Sequence, residues 1–327
     1  MGSSLDIDSP TQRPLFIVGT GRCGSTLLSE MIRLHPRILS VSEWFTVLGE
    51  RRALEDERVD ARLFLDTLTV PTKDSAELLA RFPKLAELRA PQELLARCAS
   101  RGLAPLLQVP IPHLDSRPEA ALRELCEHVR PLPPRTWSEW HVTAFSFLVR
   151  RYARNLWVER SGGSLAYADA ISRLWSNARY IHIYREGVAC AQSMYEHPYF
   201  QVRVARATAR APLPLAECLS SRPPIEQFGA YWSAVIVRGH GVLRRCAAED
   251  VLHLSYEKLL AEPREVLQRV QRFVEGSREA DGWIEAAIGC IRAGGSTVTG
   301  HESSESLRRA CRVGMSELAR MEARCAA

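Results

Sequence analysis

Gly19 and Gly24 stand five apart in "GTGRCGST", with Thr26 two residues beyond the second glycine. A nucleotide-binding P-loop reads Gly, four residues, Gly-Lys, then Ser or Thr. The glycines and Thr26 keep that spacing, but Ser25 holds the lysine position. The glycines allow a tight turn and close approach of backbone to a ligand. The N–H groups of Cys23, Gly24, Ser25, Thr26 and Leu27 would open a helix and face an anion, with the helix dipole adding attraction. Arg22 and the hydroxyls of Ser25 and Thr26 add donors. An ATPase or GTPase uses the absent lysine on its β- and γ-phosphates. A damaged ATP site, a plain glycine turn, and a loop for another phosphate-bearing ligand all fit this stretch alone.

"RCGST" (Arg22 to Thr26) resembles the 5′-phosphosulfate loop of sulfotransferases that use 3′-phosphoadenosine 5′-phosphosulfate (PAPS). Those loops read Lys or Arg, any residue, Gly, Ser or Thr, Thr. A second segment, "YIHIYREGVACAQSM", carries the resemblance further, with Arg185 at a strand end and Ser193 eight residues on. In that family such an Arg and Ser grip the donor's 3′-phosphate, and a guanidinium can pair two phosphate oxygens. Relatives often carry Asp-Pro after this Arg, whereas this chain has Glu186-Gly187. "WVERSGG" (Trp157 to Gly163) is similar to the family's Trp-x-Glu/Asp-Lys-Ser/Thr segment, with Arg160 for lysine. "LHLSYEKLLAEP" (Leu252 to Pro263) is similar to its strand and Tyr-Glu-x-Leu segment. The "AGGSTVTG" stretch, 293–300, stands where relatives close a loop over the nucleotide, without the Arg-Lys-Gly of the animal cytosolic enzymes.

The resemblance implies transfer of a sulfuryl group from PAPS to an acceptor hydroxyl, leaving adenosine 3′,5′-bisphosphate. It implies a small-molecule, carbohydrate or lipid acceptor and no obligatory metal, since the sulfate linkage carries less charge than a terminal phosphate. Arg22, the helix N-terminus and Thr26 would neutralise the leaving 5′-phosphate. The acceptor needs a base within hydrogen-bond reach. Glu43, in "VSEWF", matches the base of several bacterial relatives. His141 and His197 are the alternatives, since the animal cytosolic enzymes use a histidine. Trp44, Phe45, Trp137, Trp140, Tyr195 and Tyr199 are candidates for an acceptor pocket or for the core. Two competing functions stay open: a nucleotide or small-molecule kinase with an atypical P-loop, and a non-catalytic adenosine 3′,5′-bisphosphate-binding protein.

These residues need a frame. "PLFIVG" (Pro14 to Gly19) reads as a buried parallel strand. Residues 25–35 have a helical apolar face, and 37–41 return to strand character. That is a βαβ opening. Residues 50–150 are Leu-, Ala-, Glu- and Arg-rich, broken by prolines, and read as a helical insertion that caps the acceptor side. "RNLWVER", "ARYIHIYRE" and "DVLHLSYE" supply further strands. "GVACAQSMYEH", about 20 residues from Ile225, "EPREVLQRVQRFVEG" and the C-terminal end supply helices. Pro212, Pro214, Pro223 and Pro224 mark a long loop. The expected fold is a three-layer α/β sandwich with a central, mainly parallel sheet, P-loop NTPase-like. It would be one domain over 14–327 behind a disordered 1–13 leader.

Composition narrows the classes. The 327 residues are 46% hydrophobic and 25% charged, as in ordinary globular domains. The net charge of +5 comes almost wholly from arginine, since Lys73, Lys84 and Lys258 are the only lysines. This favours an anionic ligand, but there is no nucleic-acid signature. No apolar run suits a membrane span, and the polar N-terminus has no signal-peptide core. Asp6 stands where myristoylation wants Ser or Thr. The nine cysteines show no metal-ligand spacing. The expectation is a reduced, cytoplasmic protein, with a homodimer left open.

Overall fold

The computed structural model describes residues 13–49, 53–83, 88–98, 102–276, 282–291 and 305–326. Five strands form one sheet in the order β2-β5-β1-β6-β7. They are β1 (Leu15–Val18), β2 (Ile38–Ser42), β5 (Leu156–Arg160), β6 (Arg179–Tyr184) and β7 (Val251–Ser255). All pairings are parallel. β1 is buried at every residue, as a central strand covered on both faces must be. Phe16 pairs with Glu159 on one side and Tyr180 on the other, so one face of three strands is set by this register.

Helix α1 (Ser25–Arg33) carries the chain from β1 over β5 to β2. It is seated by a buried hydroxyl cluster. Ser29 Oγ meets Ser40 Oγ at 2.8 Å and Ser42 Oγ at 2.9 Å. These groups satisfy one another, which buried hydroxyls require. On the opposite face Phe16, Trp157 and Tyr180 meet ring to ring. Helices α3 (Trp137–Arg151) and α6 (Ile225–Leu243) lie on that face, Phe145 packing on Trp157 and His240 on His182. The result is the expected three-layer α/β arrangement, with a parallel sheet between two helical layers.

The chain between β2 and β5 is helical, as its composition suggests. It also contains a short antiparallel pair, β3 (Arg58–Val59) with β4 (Arg135–Thr136), at its two ends. A capping box, Thr136 with Glu139, opens α3 there. Phe64, Leu68, Leu106, Ile111, Leu125 and Trp140 of this stretch share one continuous core with the sheet.

Two features depart from the expected order. Pro198 sits at the start of helix α5 (Pro198–Thr208), a position where proline's missing N–H costs nothing. The proline-rich loop beyond it holds a further short helix, Leu215–Ser220. Arg13, placed by the sequence reading in the leader, donates to the Asn177 carbonyl at 2.8 Å and to Asp250 at 2.6 Å. Residues 1–12 lie outside the described residues. Among those described, no helix is long and apolar enough to cross a membrane.

Close packing ties α6 to the sheet rim. Gly187 opens helix α4 (Gly187–Tyr195), and a Cβ there would stand 2.5 Å from the Trp232 ring of α6. Gly239 of α6 faces Leu165 so closely that a Cβ would overlap its isobutyl group. Leu165 in turn donates its N–H to the Gly19 carbonyl at 3.1 Å. Gly239→Ala should therefore destabilise the fold by about 1–3 kcal/mol, the usual cost of overpacking. Urea unfolding measures it; an unchanged midpoint would mean that Leu165 turns aside freely.

Candidate functional site

The sheet delivers the ends of β1, β2, β5 and β6 to one rim. After Val18 the chain turns through Gly21 at φ 80°, Arg22 at φ 55° and Gly24 at φ 90°. Left-handed backbone suits glycine but is uncommon for arginine. Gly24 is the N-cap of α1 and provides no side-chain cap. The leading N–H groups of Ser25, Thr26 and Leu27 are thus left to the helix end, which favours an anion. Leu27 itself is half-buried, so its part is its N–H rather than its side chain.

The loop is clamped from below and beside. Cys23 points inward, and a Cβ on Gly19 would lie 2.5 Å from its Sγ. Burial pushes the Cys23 thiol up, so it stays protonated. Cys190 of α4 lies under the turn, 3.6 Å from the Arg22 carbonyl. Gly24 packs on the Tyr256 ring and Gly21 on the Phe200 ring, with no room for a Cβ at either place. Tyr256 begins helix α7 (Tyr256–Ala261), directly after β7.

Arg22, Arg185 and Ser193 come together. Arg22 Nε donates to Ser193 Oγ at 3.1 Å. Arg185, just past β6, aims Nη1 at the Arg22 carbonyl from 3.5 Å. Its guanidinium lies 5.0 Å from the centre of the Tyr256 ring. Glu186 caps α4 by accepting from the N–H groups of Val188 at 2.9 Å and Ala189 at 2.7 Å. Its carboxylate therefore fixes the turn after Arg185.

Glu43 follows β2 in a left-handed conformation, φ 58°, and is 6% exposed. Its Oε1 accepts from Arg160 Nη1 and its Oε2 from the Gly162 N–H at 2.8 Å. Arg160 ends β5 and is itself buried. The residue read as a stand-in for the family lysine is thus the counter-ion of Glu43. The next residues, Gly162 and Gly163, lead back to the phosphate loop. A Cβ on Gly163 would stand 3.5 Å from the Thr20 carbonyl and 3.0 Å from Arg203 Nη1. Arg203, on α5, donates to Tyr199 Oη at 3.2 Å. Sequence reasoning assigned no role to Arg203, Phe200 or Tyr256. Tyr256 alone gave a sign, lying within "LHLSYEKLLAEP".

The histidine alternatives are placed very differently. His141 is fully buried with both ring nitrogens engaged, Nδ1 accepting from Trp44 Nε1 at 3.0 Å and Nε2 on the Ala53 carbonyl at 2.8 Å. Burial pulls its ring down to about 4. It is a core residue without a lone pair for an acceptor. His197 caps α5 and meets the Phe200 ring edge-on at 5.9 Å. Trp44, Phe45, Trp137 and Trp140 are wholly buried, so they build the core rather than a pocket. Tyr195 and Tyr199 are half-buried, beside Phe228 and Phe200. The 293–300 stretch lies outside the described residues.

The sequence signature of the Sulfotransferase family matches residues 14–279. Among curated protein sequences none matches. Among solved structures, the chain is similar to the sulfotransferase domain from the curacin biosynthetic pathway. That match has TM-score 0.53 and 15% identity, over 95% of this chain and 99% of that one. It is also similar to sulfotransferase STF1 from Mycobacterium tuberculosis H37Rv, at TM-score 0.45 and 14% identity over 92% and 76% of the two chains. The sulfotransferase domain of the Synechococcus PCC 7002 olefin synthase matches at TM-score 0.43 and 18% identity, over 92% and 85%. At these identities the curacin-pathway likeness bears on the fold alone.

A second carboxyl lies beside Glu43. Glu159 of β5 is fully buried, accepts from Ser161 Oγ at 2.5 Å and has no partner for Oε2 among the described residues. Burial pushes it up to about 8 against the Ser161 bond, with the Glu43 charge adding to the rise. In the unfolded chain its ordinary value is 4.5. Between these values the folded protein holds a proton that the unfolded chain has released. Stability should then fall as pH rises through that window, by up to about 1.4 kcal/mol per pH unit. Glu159→Gln should flatten that slope in unfolding measured from pH 5 to pH 8. A mutant profile parallel to the wild type would show that Glu159 keeps an ordinary carboxyl.

Proposed function

The chain belongs to the sulfotransferase family, and from that premise we propose that it transfers a sulfuryl group from PAPS to a hydroxyl of a small-molecule, carbohydrate or lipid acceptor. One observation carries the donor assignment. Arg22 of the loop bonds Ser193, 171 residues away, while Arg185 leans on the same loop. A P-loop kinase needs its lysine beside Thr26, and Ser25 offers no cation there. Two phosphate sites, one at a helix N-terminus and one of Arg with Ser, suit a nucleotide bearing separate 5′- and 3′-groups.

In the proposed reaction the acceptor oxygen attacks sulfur and the bond from sulfur to the 5′-phosphate oxygen breaks. Adenosine 3′,5′-bisphosphate leaves. Negative charge grows on that phosphate, where Arg22, the Thr26 hydroxyl and the N–H groups of residues 23–27 can receive it. The Cys23 side chain takes no part; it holds the turn. Arg185 and Ser193 hold the 3′-phosphate. Glu43 takes the acceptor proton. Arg160 and the Gly162 N–H fix its carboxylate in place, and positioning of this kind is what general-base catalysis requires. The helices between β2 and β5 would cover the acceptor. Nine free thiols favour a reducing compartment, hence the cytoplasm.

Calorimetry without added metal tests the donor. Adenosine 3′,5′-bisphosphate should bind far more tightly than ATP, and equal binding would sink the assignment. Arg185→Ala should weaken the bisphosphate by roughly 10- to 100-fold, the worth of a charge-assisted phosphate contact.

Glu43→Gln should leave bisphosphate binding intact and slow turnover by about 10²–10⁴-fold. Glutamine keeps an acceptor for Arg160, and a melting curve checks that the fold survives. A well-folded variant with an unchanged rate would reject Glu43 as the base and leave a non-core group such as His197 to be examined.

A further inference from the structure

We propose that His182, His240 and His253 form a buried site for one divalent transition-metal ion of the zinc type, joining α6 to strands β6 and β7. His182 and His253 are register partners on adjacent parallel strands, so their side chains leave the same face of the sheet. His240 comes down on them from α6. One ligand atom from each of the three lies within 4.8 Å of the others. His182 Nδ1 and His253 Nδ1 stand 3.0 Å apart, in a hydrogen bond that the ion would replace. Tetrahedral zinc with Zn–N bonds of about 2.0–2.1 Å sets its nitrogens roughly 3.3 Å apart. The strand pair is thus near that spacing already; His240 would supply the third nitrogen and a water the fourth position.

The polar inventory points the same way. His182 and His240 are 0% and 1% exposed. Both nitrogens of His240 and Nε2 of His182 have no hydrogen-bond partner among the described residues. Native interiors rarely leave such atoms unsatisfied, and an ion on His240 Nε2 would relieve one of them.

A carboxylate stands behind one ligand. Glu317 of helix α9 (Glu305–Ala326) places Oε1 3.7 Å from His240 Nδ1. This leaves His240 Nε2 for the ion and repeats the carboxylate–histidine–metal order that orients ligands in known centres. Other charges also face the cluster. Arg244, Arg320 and Arg324 surround Glu317, Arg269 donates to the His253 carbonyl, and Glu322 accepts from Tyr184, whose ring stacks on His182. Imidazole ligands with no soft thiolate suit zinc, nickel, copper or cobalt better than magnesium or calcium. The ion would be structural, since the triad lies beneath α6 and takes no part in the proposed sulfuryl transfer.

The test uses the purified full-length chain and needs no activity. After equilibration with zinc and gel filtration, metal analysis should give one zinc per chain. Cobalt in its place should give the intense visible bands of a four-coordinate ion. Zinc should raise the melting temperature. His240→Asn should lose the ion, the cobalt bands and the thermal shift together, while His128→Asn, at a half-buried histidine of the helix spanning 118–129, should keep all three. Substoichiometric zinc with a featureless cobalt spectrum in the folded wild type would overturn the proposal. So would full retention of zinc by His240→Asn. If that variant fails to fold, the wild-type cobalt spectrum decides.

Discussion

The site depends on where β1 sits. A fully buried strand in the middle of a parallel sheet has neighbours on both sides that run the same way. Each of them therefore ends on the same rim. Arg160 ends β5, Arg185 follows β6, Glu43 follows β2 and the Gly19–Gly24 loop follows β1. No two of these residues are neighbours in sequence; the parallel topology brings them together. An antiparallel neighbour would send one of these groups to the far end of the sheet. The apolar run "LFIV" is thus as much a part of the chemistry as the glycines beyond it.

Burial then decides how the charges are held. Glu43 and Arg160 are both nearly out of solvent, and a buried pair gains its Coulomb energy only against a large desolvation cost. Removing one partner of such a pair typically costs about 3–5 kcal/mol, because the other is left uncompensated. This pair is consequently weak as a source of stability but strong as a positional device. Glu43 cannot leave its place without stranding Arg160. The phosphate loop uses a different means. It packs the Tyr256 and Phe200 rings against Gly24 and Gly21, so its left-handed turns are fixed by contacts that a Cβ would destroy. One side of the rim is held by charge and the other by shape.

The sequence made the strands and the loop legible because both depend on local pattern. "LFIV" and "YIHIY" are apolar runs of strand length, and the glycine spacing is a backbone requirement that no other residue meets. Arg185 and Ser193 were legible only as a motif, since their meeting with Arg22 is a product of topology. The aromatic residues were left between pocket and core, and burial puts Trp44, Phe45, Trp137 and Trp140 in the core. Trp44 and Phe45 follow a site residue in sequence, yet they turn into the core around His141, and adjacency along a chain says nothing about which face a side chain takes. Arg160 was visible only as a substituted lysine. Its link to Glu43 crosses from β5 to the end of β2, and strand order is not written in either segment. Helix α5 had no reading in the sequence, although proline is permissive at a helix start.

The two faces of the sheet carry different polar burdens. The α1 face keeps its hydroxyls satisfied through Ser29, Ser40 and Ser42. The α6 face buries Glu159, His182 and His240 and half-buries His253, with several of their polar atoms without a partner among the described residues. A carboxyl can relieve that cost by holding its proton, and Glu159 does so beside Glu43. Imidazoles lose their charge equally well but retain lone pairs and N–H groups that still want partners. Two of the three lie on adjacent strands at matching register, so neither can turn to solvent without breaking the sheet edge at β7. The third is held by α6, whose Gly239 packs closely on Leu165. Whatever satisfies these imidazoles must therefore bind between the strands and α6. An ion at that place would bear on the same helix that supports the Gly19 loop.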